Sequence, residues 1–143
     1  MLSYHPTGDP KFTYTRESFG EAWNSNSRIL LNQHYQASDQ TWHNWLFDQI
    51  NTSDNAKILD LGCGSGDLWA ENEERVPAGW EILLADFSPT MLNNARRNLR
   101  HTEANVSFEL FNANAIPIGE DAFDIVIANH LLFYMADWEN GIQ

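Results

Sequence analysis

From Lys57 onward, short apolar runs alternate with amphipathic stretches, and each run is closed by a turn signal. KILDL at 57–61 reads as a strand that ends in a glycine loop, and 67–75 as a helix stopped by Pro77 and Gly79. WEILLA at 80–85 reads as a second strand. Ser88 and Pro89 supply an N-cap and an N1 proline for a helix running to about Arg100. VSFELF at 106–111 is a third strand and FDIVIA at 123–128 a fourth, followed by a helical pattern over 130–140. Strands alternating with helices predict an α/β fold, a parallel sheet covered on both faces. Ile125, Val126 and Ile127 are consecutive apolar residues, the pattern of a central strand buried on both sides. Such a strand needs a neighbour on its far edge. The sequence is therefore expected to be a fragment of a larger domain, lacking a C-terminal segment, or to take that edge from a partner chain as a dimer.

Upstream the pattern is different. Residues 1–16 hold Pro6, Gly8 and Pro10 without a sustained period, which predicts a flexible arm. From Glu17 to Ile50 only Gly20 interrupts, and two or three helices are expected. Trp42, Trp45, Leu46 and Gln49 follow the i, i+3, i+4, i+7 spacing of one helix face, with Ser38 or Asp39 as N-cap. Ile29, Leu30 and His34 suggest a helix before it, and NTSDNA at 51–56 a turn after it. Trp23, Trp42 and Trp45 are expected in the core of this segment. The chain thus divides into an arm at 1–16, a helical segment at 17–56 and an α/β domain at 57–143.

Composition narrows the function classes. The 143 residues are 43% hydrophobic, 13% aromatic and 20% charged, a globular rather than a disordered composition. One cysteine excludes an internal disulfide framework. No apolar run approaches the roughly 18 residues of a membrane span. MLSYHPTGDP at the N-terminus lacks the basic and apolar regions of a secretory signal, so a cytoplasmic location is expected. Twenty Asp and Glu against eight Lys and Arg give a net charge of −12, which argues against nucleic acid or an anionic membrane as partner. The basic cluster Arg96, Arg97 and Arg100 reads as a solvated outer helix face.

The glycine loop carries the chemistry. In ILDLGCGSGD at 58–67, Gly62, Gly64 and Gly66 mark the turn from strand to helix. Glycines there let a ligand approach the backbone closely. A dinucleotide site has G-x-G-x-x-G, whereas here the third glycine comes one residue early. Asp60 and Asp67 flank the loop and would repel a pyrophosphate, and no P-loop lysine follows. A ligand with an ammonium group and no phosphates suits the loop, and S-adenosylmethionine has that chemistry. Asp86 ends the second strand, 24 residues after Gly62, where a carboxylate can accept from ribose hydroxyls. An NAD-dependent oxidoreductase shares the Asp86 feature, but Asp60, Asp67 and the early glycine count against it.

ILDLGCGSG, then LLADFSPTMLNNA at 83–95, then NANAIPIGEDAFDIVIANHLLFYM at 112–135 occur in order. With these motifs, residues 57 to about 140 resemble the class I S-adenosylmethionine-dependent methyltransferases, especially the small-molecule group with the general methyltransferase domain. The resemblance implies a Rossmann-like, doubly wound, mainly parallel sheet with an N-terminal helical lid. About four of the family's seven strands are recognisable. It implies that Asp60 and the backbone of Gly62, Cys63 and Gly64 hold the methionine end of the cofactor, with Gly66 permitting the tight turn. Asp86 would take the ribose hydroxyls, and Phe87 and Met91 would flank the adenine. The family usually has Asp where this chain has Asn112, to accept from the adenine amino group. Ala113 N–H would reach an adenine ring nitrogen, and Asn129 would lie beside the methyl group. No metal is implied.

Several residues invite a catalytic reading. Cys63 at a helix start reads as a packing residue rather than a nucleophile. His130 is the one general-base candidate, or else a residue packed on Phe133 and Tyr134. His34 and Tyr35 read as helix packing, and Tyr14 as a remote candidate for a cation–π contact with the sulfonium. Asp121 and Asp124 read as structural. The implied function is methyl transfer to a small-molecule acceptor by in-line displacement, with S-adenosylhomocysteine as product. The alternative is a non-catalytic S-adenosylmethionine-binding module.

Overall fold

A computed structural model describes residues 40–132 and Met135. The arm, most of the helical segment and the 130–140 pattern past Leu132 lie outside the described residues. So do Tyr14, Trp23, His34, Tyr35 and the expected caps Ser38 and Asp39.

The described elements are α1 (Trp42–Asp48), β1 (Lys57–Leu61), α2 (Asp67–Ala70), a 3-10 turn at Glu73–Arg75, β2 (Glu81–Asp86), α3 (Pro89–Asn98), β3 (Asn105–Leu110) and β4 (Ile125–Ile127). All four strands are parallel, in the order β3-β2-β1-β4. Ile58 on β1 faces Ile82 on one side and Ile125 on the other. The chain runs from β1 outward through β2 and β3, then crosses back to place β4 beside β1. Such a reversal, at the carboxyl ends of β1 and β4, is where open α/β sheets take their ligands in a crevice.

Alternation along the strands builds two apolar layers. Ile58, Ile82 and Leu84 face Phe47 of α1, Trp69 of α2 and Trp80. Leu59, Leu61 and Ala85 face the opposite way, against Phe111, Ile118, Phe123 and Leu131. The Phe47 ring meets Trp69 edge-on at 6.3 Å and Trp80 at 5.9 Å. Burying an aromatic side chain of this kind contributes about 2–3 kcal/mol. Ser88 caps α3 by accepting from Met91 N, and Pro89 sits at N1, as the sequence predicts.

Some expectations need correction. α1 is capped by Thr41, whose hydroxyl accepts from Asn44 N at 3.1 Å. Its buried residue is Phe47, with Leu46 and Ile50 partly buried, whereas Trp42 and Trp45 are 42% and 45% exposed and stack on each other at 5.0 Å. The helix expected over 67–75 stops at Ala70, and the chain re-enters a 3-10 turn at Glu73. The break lies at Asn72, whose φ is −121° and whose amide donates to Leu68 O at 2.8 Å. A side chain that competes for a helix carbonyl ends the helix. β2 and β3 each sit one residue off their expected limits. β4 spans only 125–127, and Val126 is 58% exposed, so among the described residues β4 is an edge strand rather than one buried on both sides.

Asp124 fits its structural reading. Its N–H donates to Lys57 O and its Oδ2 accepts from Lys57 N, both at 2.8 Å, which locks the start of β4 to the start of β1. Asp121 has φ +58° in the turn before it. His130 has φ +54° in a turn, so no helix begins there.

Candidate functional site

The crevice floor is the loop from Gly62 to Gly66. The N–H groups of Gly62 and Cys63 both donate to Ala85 O, at 2.8 and 3.0 Å, which ties the loop to the end of β2. Gly64 N–H donates to Asp86 Oδ2 at 3.0 Å, and Ser88 N–H to Asp86 Oδ1 at 2.8 Å. Both Asp86 oxygens are thus held by backbone donors, with the Phe87 N–H as a third. All three N–H groups at 62–64 are engaged within the protein. Among the described residues, no backbone N–H is bonded to the carbonyls of Gly62 or Gly64, and the Gly64 carbonyl accepts from Cys63 Sγ.

Two glycines are demanded by geometry. A Cβ on Gly66 would lie 3.2 Å from Ala95 Cβ and 3.3 Å from Leu99 Cδ1, and its φ is +75°. α2 therefore starts where α3 passes closest. A Cβ on Gly64 would meet nothing within 4 Å, but its φ of +58° still favours glycine. The loop is open on that side.

Two buried carboxylates bracket the floor. Asp60 is 3% exposed, and its Oδ2 accepts from Trp69 Nε1 at 2.9 Å. Burial pushes its carboxyl up to about 6, the Trp69 N–H opposes this, Asp86 adds to it and His43 offsets a little. Asp86, 7% exposed, is also raised by burial, against the pull of the N–H groups of Ser88, Gly64 and Phe87. Two carboxylates in a poorly solvated crevice favour a cation and disfavour a phosphate. Cys63 lies beside both: burial first, then Asp60 and Asp86, push its thiol far up. Its Sγ donates to Gly64 O at 3.6 Å. A protonated, half-buried thiol is a packing group, not a nucleophile. Asp67 is engaged locally, accepting from Ser65 Oγ at 2.7 Å and Asn98 Nδ2 at 3.4 Å.

The remaining candidates fall in three places. Phe87 follows β2 with 40% of its surface exposed, and Met91 is buried on the first turn of α3. Asn112 and Ala113 lie in the loop after β3. Asn112 Oδ1 accepts from both the backbone N and the Nδ2 of Asn114, each at 2.9 Å, and Ala113 packs on the Leu59–Leu61–Ala85 layer. Asn129 and His130 follow β4 and line a cavity of about 440 Å3 with Leu46, Ile50 and Val126. The His130 ring lies 5.6 Å from that of Trp42. Asp60, the loop, Asp86 and Phe87 thus form one cluster, and Asn129 and His130 another on the α1 side. Trp69 carries no motif that marks it in the sequence. A buried tryptophan needs an acceptor for its N–H, and that was the available signal.

Among the described residues, no group of His, Cys, Asp and Glu is placed to hold a metal. No helix among them is long and apolar enough to cross a membrane.

Comparison with known proteins shows the family. A family described as a methyltransferase domain matches residues 58–143. The chain is 34% identical over 104 residues to the ubiquinone/menaquinone biosynthesis C-methyltransferase UbiE of Pectobacterium carotovorum, covering 71% of this chain and 41% of that protein. It is 35% identical over 105 residues to the demethylmenaquinone methyltransferase of Thermus thermophilus, covering 73% and 47%. The chain thus spans less than half the length of these relatives. Among solved structures, the [4+2]-cyclase SpnF superposes with a TM-score of 0.62 at 20% identity, covering 70% of this chain and 37% of that one. That last likeness concerns the fold alone.

Proposed function

The chain belongs to the methyltransferase-domain family, and from that premise we propose that it binds S-adenosylmethionine and takes part in methyl transfer to a small-molecule acceptor. The observation that carries the reading is the pair of buried carboxylates, Asp60 and Asp86, on either side of a loop whose N–H groups are engaged. Such a crevice suits a ligand that is cationic and rich in hydroxyls, and the cofactor is both.

The residues present fit the group. Asp60 and the carbonyls of Gly62 and Gly64 would accept from its ammonium. Asp86, held by Gly64 and Ser88, would accept from the ribose hydroxyls without reorienting. Phe87 offers an exposed ring face for the adenine, Met91 backs it, and Ala113 offers its N–H. Asn112 would accept from the adenine amino group only with an oxygen already shared with Asn114. When bound, the cofactor supplies a methyl group already activated as an electrophile on sulfur. The protein's part is to align an acceptor with it and to exclude water. Asn129 and His130, at the mouth of the cavity beside β4, are the residues we place on the acceptor side, with His130 as base where the acceptor must lose a proton. The names of the relatives support a quinone-type ring as acceptor.

The test is a calorimetric titration of the chain with S-adenosylhomocysteine, with NAD as control. One-site binding to S-adenosylhomocysteine alone, lost at least a hundredfold in Asp86→Ala, is the expected result. A folded chain that ignores it, or prefers NAD, would overturn the reading. The alternative, a module that binds the cofactor without transfer, draws on Asn112, whose acceptor is occupied. Binding without transfer of labelled methyl to any of a panel of quinols and phenols would favour that alternative.

A further inference from the structure

Trp69 heads the fully buried side chains of the described residues by volume. Packing against Phe47 accounts for an aromatic ring there. It does not account for an indole. The N–H crosses from α2 to β1 and donates to Asp60 Oδ2 at 2.9 Å, nine positions back in the chain. No other donor among the described residues is seen on that carboxyl. A buried indole N–H without an acceptor is costly, and a buried carboxylate without a donor more so.

Resting on the cofactor reading above, we propose that Trp69 is a positioning residue of this site: its indole N–H fixes the Asp60 carboxylate in one orientation and keeps it an acceptor, leaving the other oxygen for the cofactor's ammonium group. The alternative state of Asp60 is a neutral acid. Its O–H would point a donor at a ligand that itself carries only donors there. The groups facing Asp60 pull in both directions. Asp86 at the end of β2 favours the neutral acid, and His43 of α1 favours the carboxylate. His43 is itself held by Glu71 at 2.8 Å. Cys63 in the loop is a neutral thiol. Of these neighbours only the indole N–H neither titrates nor moves, because its ring is locked in the core.

The test follows binding of S-adenosylhomocysteine to the full chain between pH 5 and pH 8. Wild-type affinity is expected to fall as pH drops through about 6, where Asp60 takes up its proton. In Trp69→Phe, which keeps an aromatic ring and removes the N–H, the midpoint moves up by about one pH unit. Affinity is then roughly fivefold below wild type at pH 6 and close to it at pH 8. Should Trp69→Phe fail to fold, 3-benzothienylalanine at position 69 keeps the two-ring shape, with sulfur in place of N–H, and the same shift is expected. A purely structural Trp69 would lower thermal stability and leave the midpoint where it was, and that result overturns the proposal while the cofactor reading stands. A wild-type chain that binds at no pH overturns both.

Discussion

On the β1–β2 side of the crevice, the polar groups that shape the floor are tied to backbone or to a buried ring. Ala85 O holds two loop N–H groups, Gly64 and Ser88 hold Asp86, and Trp69 holds Asp60. On the β4 side, Val126 is exposed at the sheet edge, Trp42 and Trp45 stack in the open, and His130 turns out on a left-handed residue against Trp42. The first flank is rigid because its donors and acceptors are paired and its helices pack closely. The second is built of aromatic surface and turns. A site for an invariant cofactor calls for the first kind of construction, and a site for a variable acceptor tolerates the second.

The contrast can be broken in graded steps. Gly66→Val should be the most damaging, since it adds a branched side chain at φ +75° against Ala95 and Leu99. A loss of about 3 kcal/mol in urea unfolding is expected. Asp60→Asn comes next, with opposite effects on stability and binding. The Asp60 carboxyl lies near 6 in the fold against an ordinary 3.8, so ionising it costs the folded state. That cost is full above about pH 6 and gone below about pH 4. The variant should therefore gain about 2–3 kcal/mol of stability at pH 7, lose the gain toward pH 4, and bind S-adenosylhomocysteine more weakly throughout. Stability curves at the two pH values check the sign. Gly64→Ala keeps open space around the new methyl group and strains only φ, so about 1 kcal/mol is expected by the same unfolding assay. Smallest of all, Trp42→Ala should cost under about 1 kcal/mol and leave cofactor affinity within about twofold. If Trp42→Ala instead abolished binding of S-adenosylhomocysteine, the two flanks would be one site.

The fold is most legible in the sequence where the turn signals are strong. β1 has its expected limits because the glycines close it, and α3 starts where Ser88 and Pro89 say it must. In α1 the helical spacing of Trp42, Trp45, Leu46 and Gln49 points away from Phe47, the residue that is buried. Its burial is decided by Trp69 and Trp80, which belong to later elements. An apolar triplet does not say how many neighbours its strand has, and Val126 lies open at the edge of β4. The glycine loop is legible from its spacing as a tight turn from strand to helix. That its N–H groups turn to Ala85 and Asp86 is not, since a motif names residues and not the direction of their donors.

The lock between Lys57 and Asp124 has a consequence for the order of assembly. Its side-chain bond joins positions 67 residues apart, while β1 and β2 meet across fewer than half as many. As the chain leaves the ribosome, β1, β2 and β3 can pair before β4 exists. Through that interval β1 presents an open, apolar edge, and its last partner arrives only after a long closure. Delay at this step, rather than weakness of the finished sheet, is where the nascent chain is most exposed to sticking to its neighbours.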